Sequence, residues 1–298
     1  MVCYHPLRGY RSRSLNEQGK RPIVFKASEG FLDRPVTLPC GQCIGCRLER
    51  SRQWAVRCYH EASLYDNNCF ITLTYDDEHL PDDRSLDVRH FQKFMKRLRK
   101  KYGANIRFYH CGEYGERFGR PHYHACIFNH DFEDKVLWRK INDVPLFLSA
   151  SLQQLWPLGH SSVGTVTFQS AAYVARYIMK KRLGRGSEEH YMDPETGVIR
   201  KPEYTTMSRK PGIGQPWLEK FKTDVYPDDF VIINGKKVRP PRYYDQQIEL
   251  TDTESYEELK RRRVRQANKH KANNTPERLK VRETIQGHKL RRLPRSLE

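Results

Sequence analysis

Apolar residues recur along this 298-residue chain in two rhythms, and the switches between them predict its elements. Trp54, Cys58, Ala62 and Tyr65 are spaced at helical intervals, which predicts a helix over 47–65. Arg47, Arg50, Arg52 and Arg57 surround that stripe, on a side that faces either solvent or a DNA groove. The run 69–75 is rich in β-branched and aromatic types and predicts a strand. Asp76, Asp77, Pro81, Asp82 and Asp83 break it. Val88, Phe91, Met95, Leu98 and Tyr102 then mark a second helix that Gly103 stops. Strands follow at 105–111 and 122–128, joined by a turn carrying Gly112, Gly115, Gly119 and Pro121. A short helical patch near 152–156, a strand at 163–168 and a helix at 171–182 complete the pattern.

Without the first helix, the order is that of a split βαβ, ferredoxin/RRM-like α+β core: an antiparallel sheet with helices on one face. Four segments are expected: an N-terminal stretch 1–46 that is mostly loop with one short strand, a core 47–183, a loop-rich extension 184–250 packed on it, and a tail 251–298. The tail holds 14 Lys and Arg against 7 Asp and Glu, few apolar anchors, and reads as partly helical or disordered.

Charge sharpens the picture. The whole chain has 54 Lys and Arg against 36 Asp and Glu, a formal net charge of +18, which points to a polyanionic partner, nucleic acid first. No apolar run approaches the roughly 18–20 residues of a membrane span, and the first residues lack the apolar stretch of a secretory signal. Eight cysteines in such a chain do not read as a disulfide framework. Cys40, Cys43 and Cys46 cluster. With Cys3 as the obvious fourth ligand, and His5 and Cys58 as competitors, they suggest structural zinc.

The stretch with most chemistry is 112–128. Alternation along a strand turns His122 and His124 to one face and Tyr123 to the other, so two imidazoles can meet one divalent cation. Glu113 is the chosen third ligand and Glu116 its alternative. Tyr173 and Tyr177, four apart on the predicted helix, share a face and could act as nucleophiles on a phosphodiester. The segment 210–217 reads as a structural turn with a Trp217 anchor. No G-x-x-x-x-G-K-[ST] sequence occurs, so no ATPase is inferred.

Three motifs, in order, resemble those of the HUH endonucleases of rolling-circle replication. They are the strand Phe70 to Tyr75, the Pro121, His122, Tyr123, His124 run, and the pair Tyr173 and Tyr177. Together with the Cys40–Cys46 cluster and the basic stretch after it, roughly 1–220 is similar to the replication initiators of microviruses, gokushovirus branch. The resemblance implies an HUH core that nicks one strand of double-stranded origin DNA. It implies a 5′-phosphotyrosine link on Tyr173 or Tyr177, with Mg²⁺ or Mn²⁺ held by His122, His124 and Glu113. It further implies single-strand rejoining, a host helicase and DNA polymerase as partners, and action in the cytoplasm of the bacterial host. Arg176 stands where the family often has lysine, and with Lys180, Lys181 and Arg120 it is expected to contact DNA. Two other readings fit the same residues: a non-catalytic, zinc-stabilised nucleic-acid-binding protein, and an HUH relaxase or transposase of a mobile element.

Overall fold

The computed structural model describes residues 3–115, 119–141, 144–176, 187–193 and 196–291. In chain order the strands are β1 (Leu7–Ser12), β2 (Ile23–Val24), β3 (Gly30–Leu38), β4 (Asn68–Tyr75), β5 (Arg107–Tyr114), β6 (Pro121–Phe128), β7 (Lys135–Ile141), β8 (Val144–Ser149), β9 (Gly159–Thr165), β10 (Tyr204–Met207), β11 (Val231–Ile233) and β12 (Lys236–Val238). The helices are α1 (Ile44–Ala62), α2 (Val88–Tyr102), α3 (Ala150–Leu155), α4 (Phe168–Arg176), α5 (Ser187–Tyr191), α6 (Gln215–Val225), α7 (Arg242–Thr251), α8 (Thr253–Lys269) and α9 (Pro276–Arg291).

The chain divides into two compact units: residues up to Arg50 together with those from Lys260, and Ser51–Leu259. In the first unit, β1 pairs antiparallel with both β2 and β3. The sequence reading expected a single strand there. Two-residue β2 and the polar β3 carry too little apolar alternation to announce themselves. Leu279 of α9 is buried with Cys3, Tyr4 and Cys43, and His5 pairs with Glu283 at 2.8 Å. The basic tail is therefore helical through the described part of α8 and α9, anchored by Leu279 rather than by its charges.

The second unit is built on a seven-stranded sheet in the order β10-β5-β6-β4-β9-β8-β7, every pairing antiparallel. β6 lies between β4 and β5, which α2 connects: the split βαβ arrangement expected from sequence. The Asp87 side chain caps α2 by accepting from the Arg89 N–H at 2.8 Å, and Gly103 ends it at φ 108°. Phe91, Phe94, Met95 and Leu98 pack on Ile71, Leu73, Tyr123, Ala125 and Ile127.

The expectation of helices on one face is corrected here. α1 and α4 cover the opposite face, where Ala55, Cys58, Ala171, Tyr173, Val174 and Ala175 pack with Phe70, Tyr109, Cys126 and Phe128. The reason lies in β4 and β6, whose alternate positions are apolar on both sides, so neither face can be left to water. Residues 204–251 are less loop-like than expected. β10 extends the sheet beside β5, while Leu218 of α6, Val231 and Ile233 of β11 and Tyr244 of α7 bury around Val56.

Arg57 departs from the open basic face that the sequence suggests for it. It is 9% exposed and sandwiched between the Trp54 and Tyr243 rings at 4.0 and 3.9 Å, with Nε donating to the Ile213 carbonyl at 2.8 Å. The segment 210–217 is structural as expected: the Gly214 N–H donates to Glu61 at 2.6 Å, the Gly212 N–H to Gln215, and Trp217 stacks on His60 at 3.5 Å.

Two buried histidines make this unit sensitive to acid. Burial pushes His60 down to about 3 and His110 well below the usual imidazole value, so both are neutral when folded. Unfolding returns them to an ordinary value of about 6.5. The folded state then binds fewer protons, and stability present above pH ~6.5 falls as the pH drops, for His60 down to about 3. Between pH ~7 and ~4.5 His60 is expected to remove about 2.5 kcal/mol, with His110 acting in the same direction. Urea unfolding at both pH values checks this, and His60→Phe should flatten the loss.

Candidate active site

Three strands fix the site by register alone. Glu113 of β5 is opposite His122 of β6, and His122 and His124 are opposite Thr74 and Thr72 of β4. Partners across an antiparallel pair share a face, so all five side chains project to the α4 side. Tyr123 and Tyr75 project to the other side. There their hydroxyls meet at 2.6 Å and, through His90 and the Asp87 backbone, tie α2 to the sheet.

His124 and Glu113 are almost wholly buried, with Nε2 and Oε1 2.9 Å apart. The Nδ1 of the same ring meets Thr72 Oγ1 at 3.0 Å, which fixes the ring's orientation. Two ligands of one octahedral cation, each about 2.1 Å from it, stand about 3 Å apart, so this carboxylate–imidazole pair has the spacing of neighbouring ligands. His122 is less enclosed. Its ring centroid is 6.3 Å from that of His124, and its Nε2 lies 2.7 Å from where a side chain on Gly115 would begin. Glycine at 115 is thus what admits the ring. An oxygen donor with two imidazoles suits Mn²⁺, and Mg²⁺ through the carboxylate.

Tyr173 of α4 stands over this pair. Its ring is edge-on to His124 at 5.5 Å and to Phe70 at 6.4 Å, while Phe70 and His124 stack at 5.8 Å. Tyr173 is 7% exposed, packed in the core of that face, and also lines a cavity of about 910 Å³ with His122, His124, Thr72 and Thr74. Such a cavity admits a nucleotide-sized group beside a phenol, two imidazoles and hydroxyls. The far wall is apolar, from Trp138, Val144, Leu146 and Leu148 of the β7–β8 hairpin.

Of the other residues singled out from sequence, Tyr177, Lys180, Lys181 and Glu116 lie outside the described residues, and the backbone of Arg176 ends α4. Arg120 pairs with Asp77 and donates to the Tyr75 carbonyl at 3.0 Å. It secures the β6 entrance and is not part of the cavity wall.

Comparison with known proteins gives this geometry a family. Residues 68–182, from β4 past α4, match the family described as replication-associated protein ORF2. The chain is 36% identical over 217 residues to the replication-associated protein VP4 of Bdellovibrio phage phiMH2K, covering 69% of this chain and 65% of that protein. It is 33% identical over 229 residues to the replication-associated protein ORF2 of Spiroplasma virus 4, covering 72% and 68%. The chain belongs to the phage replication-associated protein family. The replication-associated protein ORF4 of Chlamydia phage 1 is 30% identical over 241 residues, 76% of this chain and 58% of the relative. The chain thus spans just under two thirds of the first of these relatives. No solved structure matches it.

Within this family member, the sequence reading missed what Thr72, Thr74, His160 and the β7–β8 hairpin do: all line the cavity. The threonines carried a usable signal, being polar at alternate positions of an otherwise apolar strand. The hairpin carried none, because charges interrupt β7 and a proline sits in β8.

The second cluster lies in the other unit. The sulfurs of Cys3, Cys40, Cys43 and Cys46 all fall within 4.8 Å of one another, the tightest arrangement of potential metal ligands among the described residues. Cys3 and Cys43 sulfurs are 4.0 Å apart, close to the roughly 3.8 Å edge of a tetrahedron with 2.3 Å metal–sulfur bonds. Backbone N–H groups of Cys40, Cys43 and Tyr4 donate to the sulfurs of Cys3, Cys40 and Cys43. Burial pushes the Cys43 thiol up, but hydrogen bonds from Tyr4 and Cys46 outweigh it and bring it down to about 7, while burial raises Cys3 and Cys46. The expected fourth ligand is thus Cys3. Cys58 is buried in the sheet core and His5 is paired with Glu283.

The Thr72 contact is testable without substrate. Thr72→Val keeps the shape of the side chain and deletes the hydroxyl facing His124 Nδ1, and it is expected to lower stability by about 1 kcal/mol. Denaturant unfolding measures the loss, and the imidazole nitrogen signals of His124 should shift.

Proposed function

We propose that this chain is a rolling-circle replication initiator, an HUH endonuclease that nicks and rejoins one strand of a phage origin through phosphotyrosine. The observation that carries the reading is the Tyr173 ring set edge-on to His124 in a cavity also lined by His122 and Thr72. The family membership supplies the replication context, and the +18 charge fits a polyanionic substrate.

Glu113, His124 and His122 would hold Mg²⁺ or Mn²⁺, which when bound polarises the scissile phosphate. Thr72 holds the His124 ring in place, and the Glu113 carboxylate faces it from β5. The phenol of Tyr173 gives up its proton, and its oxygen bonds to phosphorus. The bond from phosphorus to the 3′ oxygen breaks, and that oxygen takes a proton to become a 3′-hydroxyl. The 5′ end stays on the protein while a host DNA polymerase extends the free 3′ end. Tyr177 performs the second transfer, with Arg176, Lys180 and Lys181 meeting the phosphates. Strand separation falls to a host helicase, since no P-loop sequence occurs. The setting is the cytoplasm of the bacterial host. Among the described residues, no helix is long and apolar enough to cross a membrane. In the other unit, the four cysteines hold structural zinc.

With Mn²⁺ and a labelled single-stranded origin oligonucleotide, Tyr173→Phe is expected to reduce a covalent protein–DNA adduct on denaturing gels, and Tyr173→Phe with Tyr177→Phe to abolish it. An adduct persisting in the double variant refutes the nucleophile assignment. Replacing His122 and His124 together by alanine should remove metal-dependent nicking and leave duplex affinity in place. Elemental analysis of untagged protein is expected to give one zinc per chain, lost in Cys40→Ser with Cys43→Ser together with several kcal/mol of stability.

A further inference from the structure

The Ser51–Leu259 unit has a second cavity, of about 650 Å³, at the start of β5 and the end of β10. Four cations line it: Arg99, Arg107, Arg209 and Lys210, with the amides of Asn105 and Asn129. No acidic residue does. The nearest carboxylate, Glu61, is wholly buried behind Arg107 and is already committed to that guanidinium and to the Gly214 N–H.

Two of the cations are fixed in place. Nε and Nη2 of Arg99 donate to the Ile106 carbonyl at 3.0 and 2.7 Å. Arg107 uses Nε on Glu61 and Nη2 on the Pro211 carbonyl at 2.8 Å. Each guanidinium keeps its Nη1 uncommitted among the described residues. Burial lowers the pKa of Arg99, and the charge of Arg107 lowers it further, so the two repel across the cavity wall. Arg209 and Lys210 beside them are exposed and have no acidic or carbonyl partner among the described residues. A fixed like-charge pair next to two exposed cations, with asparagine amides between, is an arrangement that an anion relieves. The Gly212 and Gly214 amides are spent on Gln215 and Glu61, so the anion would be met by side chains and not by a backbone cradle.

We propose that this cavity is a second nucleic-acid contact that seats backbone phosphates away from the scissile one. Arg107 and Glu113 lie on the same face of β5 six positions apart, so the cavity stands about 20 Å along the strand from the candidate active site. One phosphate cannot touch both. The inference takes the identity of the polyanion from the reading above, and it does not depend on nicking.

Fluorescence anisotropy over a salt series tests it, using random-sequence duplex and single-stranded oligonucleotides in separate arms and no divalent metal. Arg209→Gln with Lys210→Gln is expected to lower the slope of log affinity against log salt by about 1.8 on duplex. The affinity ratio between about 50 and about 200 mM salt then shrinks by about tenfold. A drop of similar size on single strands also supports the contact and assigns it to that form of DNA. Lys236→Gln with Lys237→Gln removes the same charge from the exposed β12 and should leave the slope unchanged. The exchange Arg209→Lys with Lys210→Arg should keep it as well, which guards against misfolding as the cause. Unchanged slopes for the pocket pair in both arms overturn the proposal, as does an equal drop in the β12 pair. Because binding is read without cleavage, failure of the tyrosine assignment would leave this result standing.

Discussion

The candidate active site depends on the pairing register of β4, β5 and β6. With Glu113 opposite His122 and Thr72 opposite His124, five polar side chains share one face, while Ile71, Leu73, Tyr123, Ala125 and Ile127 share the other. A slip of one residue would drive the polar set under α2 and expose the apolar set to the cavity. Burial enforces the register, because both faces are covered and each accepts only its own set. The site's precision therefore comes from the same free energy that folds the sheet, and no separate device is needed to aim the imidazoles.

That economy has a cost in polar groups placed indoors. Glu113 and His124 are nearly inaccessible, and they persist there because each meets a partner: the carboxylate the ring, the ring the Thr72 hydroxyl. The opposite face shows the same logic in the Tyr75, Tyr123 and His90 chain, whose hydroxyls are joined to one another and to the α2 cap. Polar networks on both sides of one sheet make its central strands unusually specific for their places.

Much of the core was legible in the sequence, and the boundary of legibility has a physical cause. α1, β4, α2, β5 and β6 bury one or two complete stripes, so periodicity reveals them. β10 is a four-residue strand whose existence depends on pairing with β5 across a long stretch of chain, and β7 is interrupted by charge. Strand alternation could put His122 and His124 on one face, but nothing local says that α4 covers that face. The meeting of Tyr173 with His124 followed only from family resemblance. Arg57 shows the reverse error: read as a surface charge, it is clamped between two aromatic rings. The fourth cysteine could be named because Cys3 was near the start and unclaimed. That Leu279 would cover the cluster could not, since a lone leucine in a basic helix resembles any other.

The seating of Leu279 against Cys3 and Cys43 also sets an order of events during synthesis. A ribosome releases the four thiols long before it releases the leucine that shields them. For all that interval the nascent cluster is open to solvent, and any ion it takes must arrive before the lid does. Loading first and sealing afterwards would place metal capture on the translation clock, and would make the finished unit slow to surrender its ion.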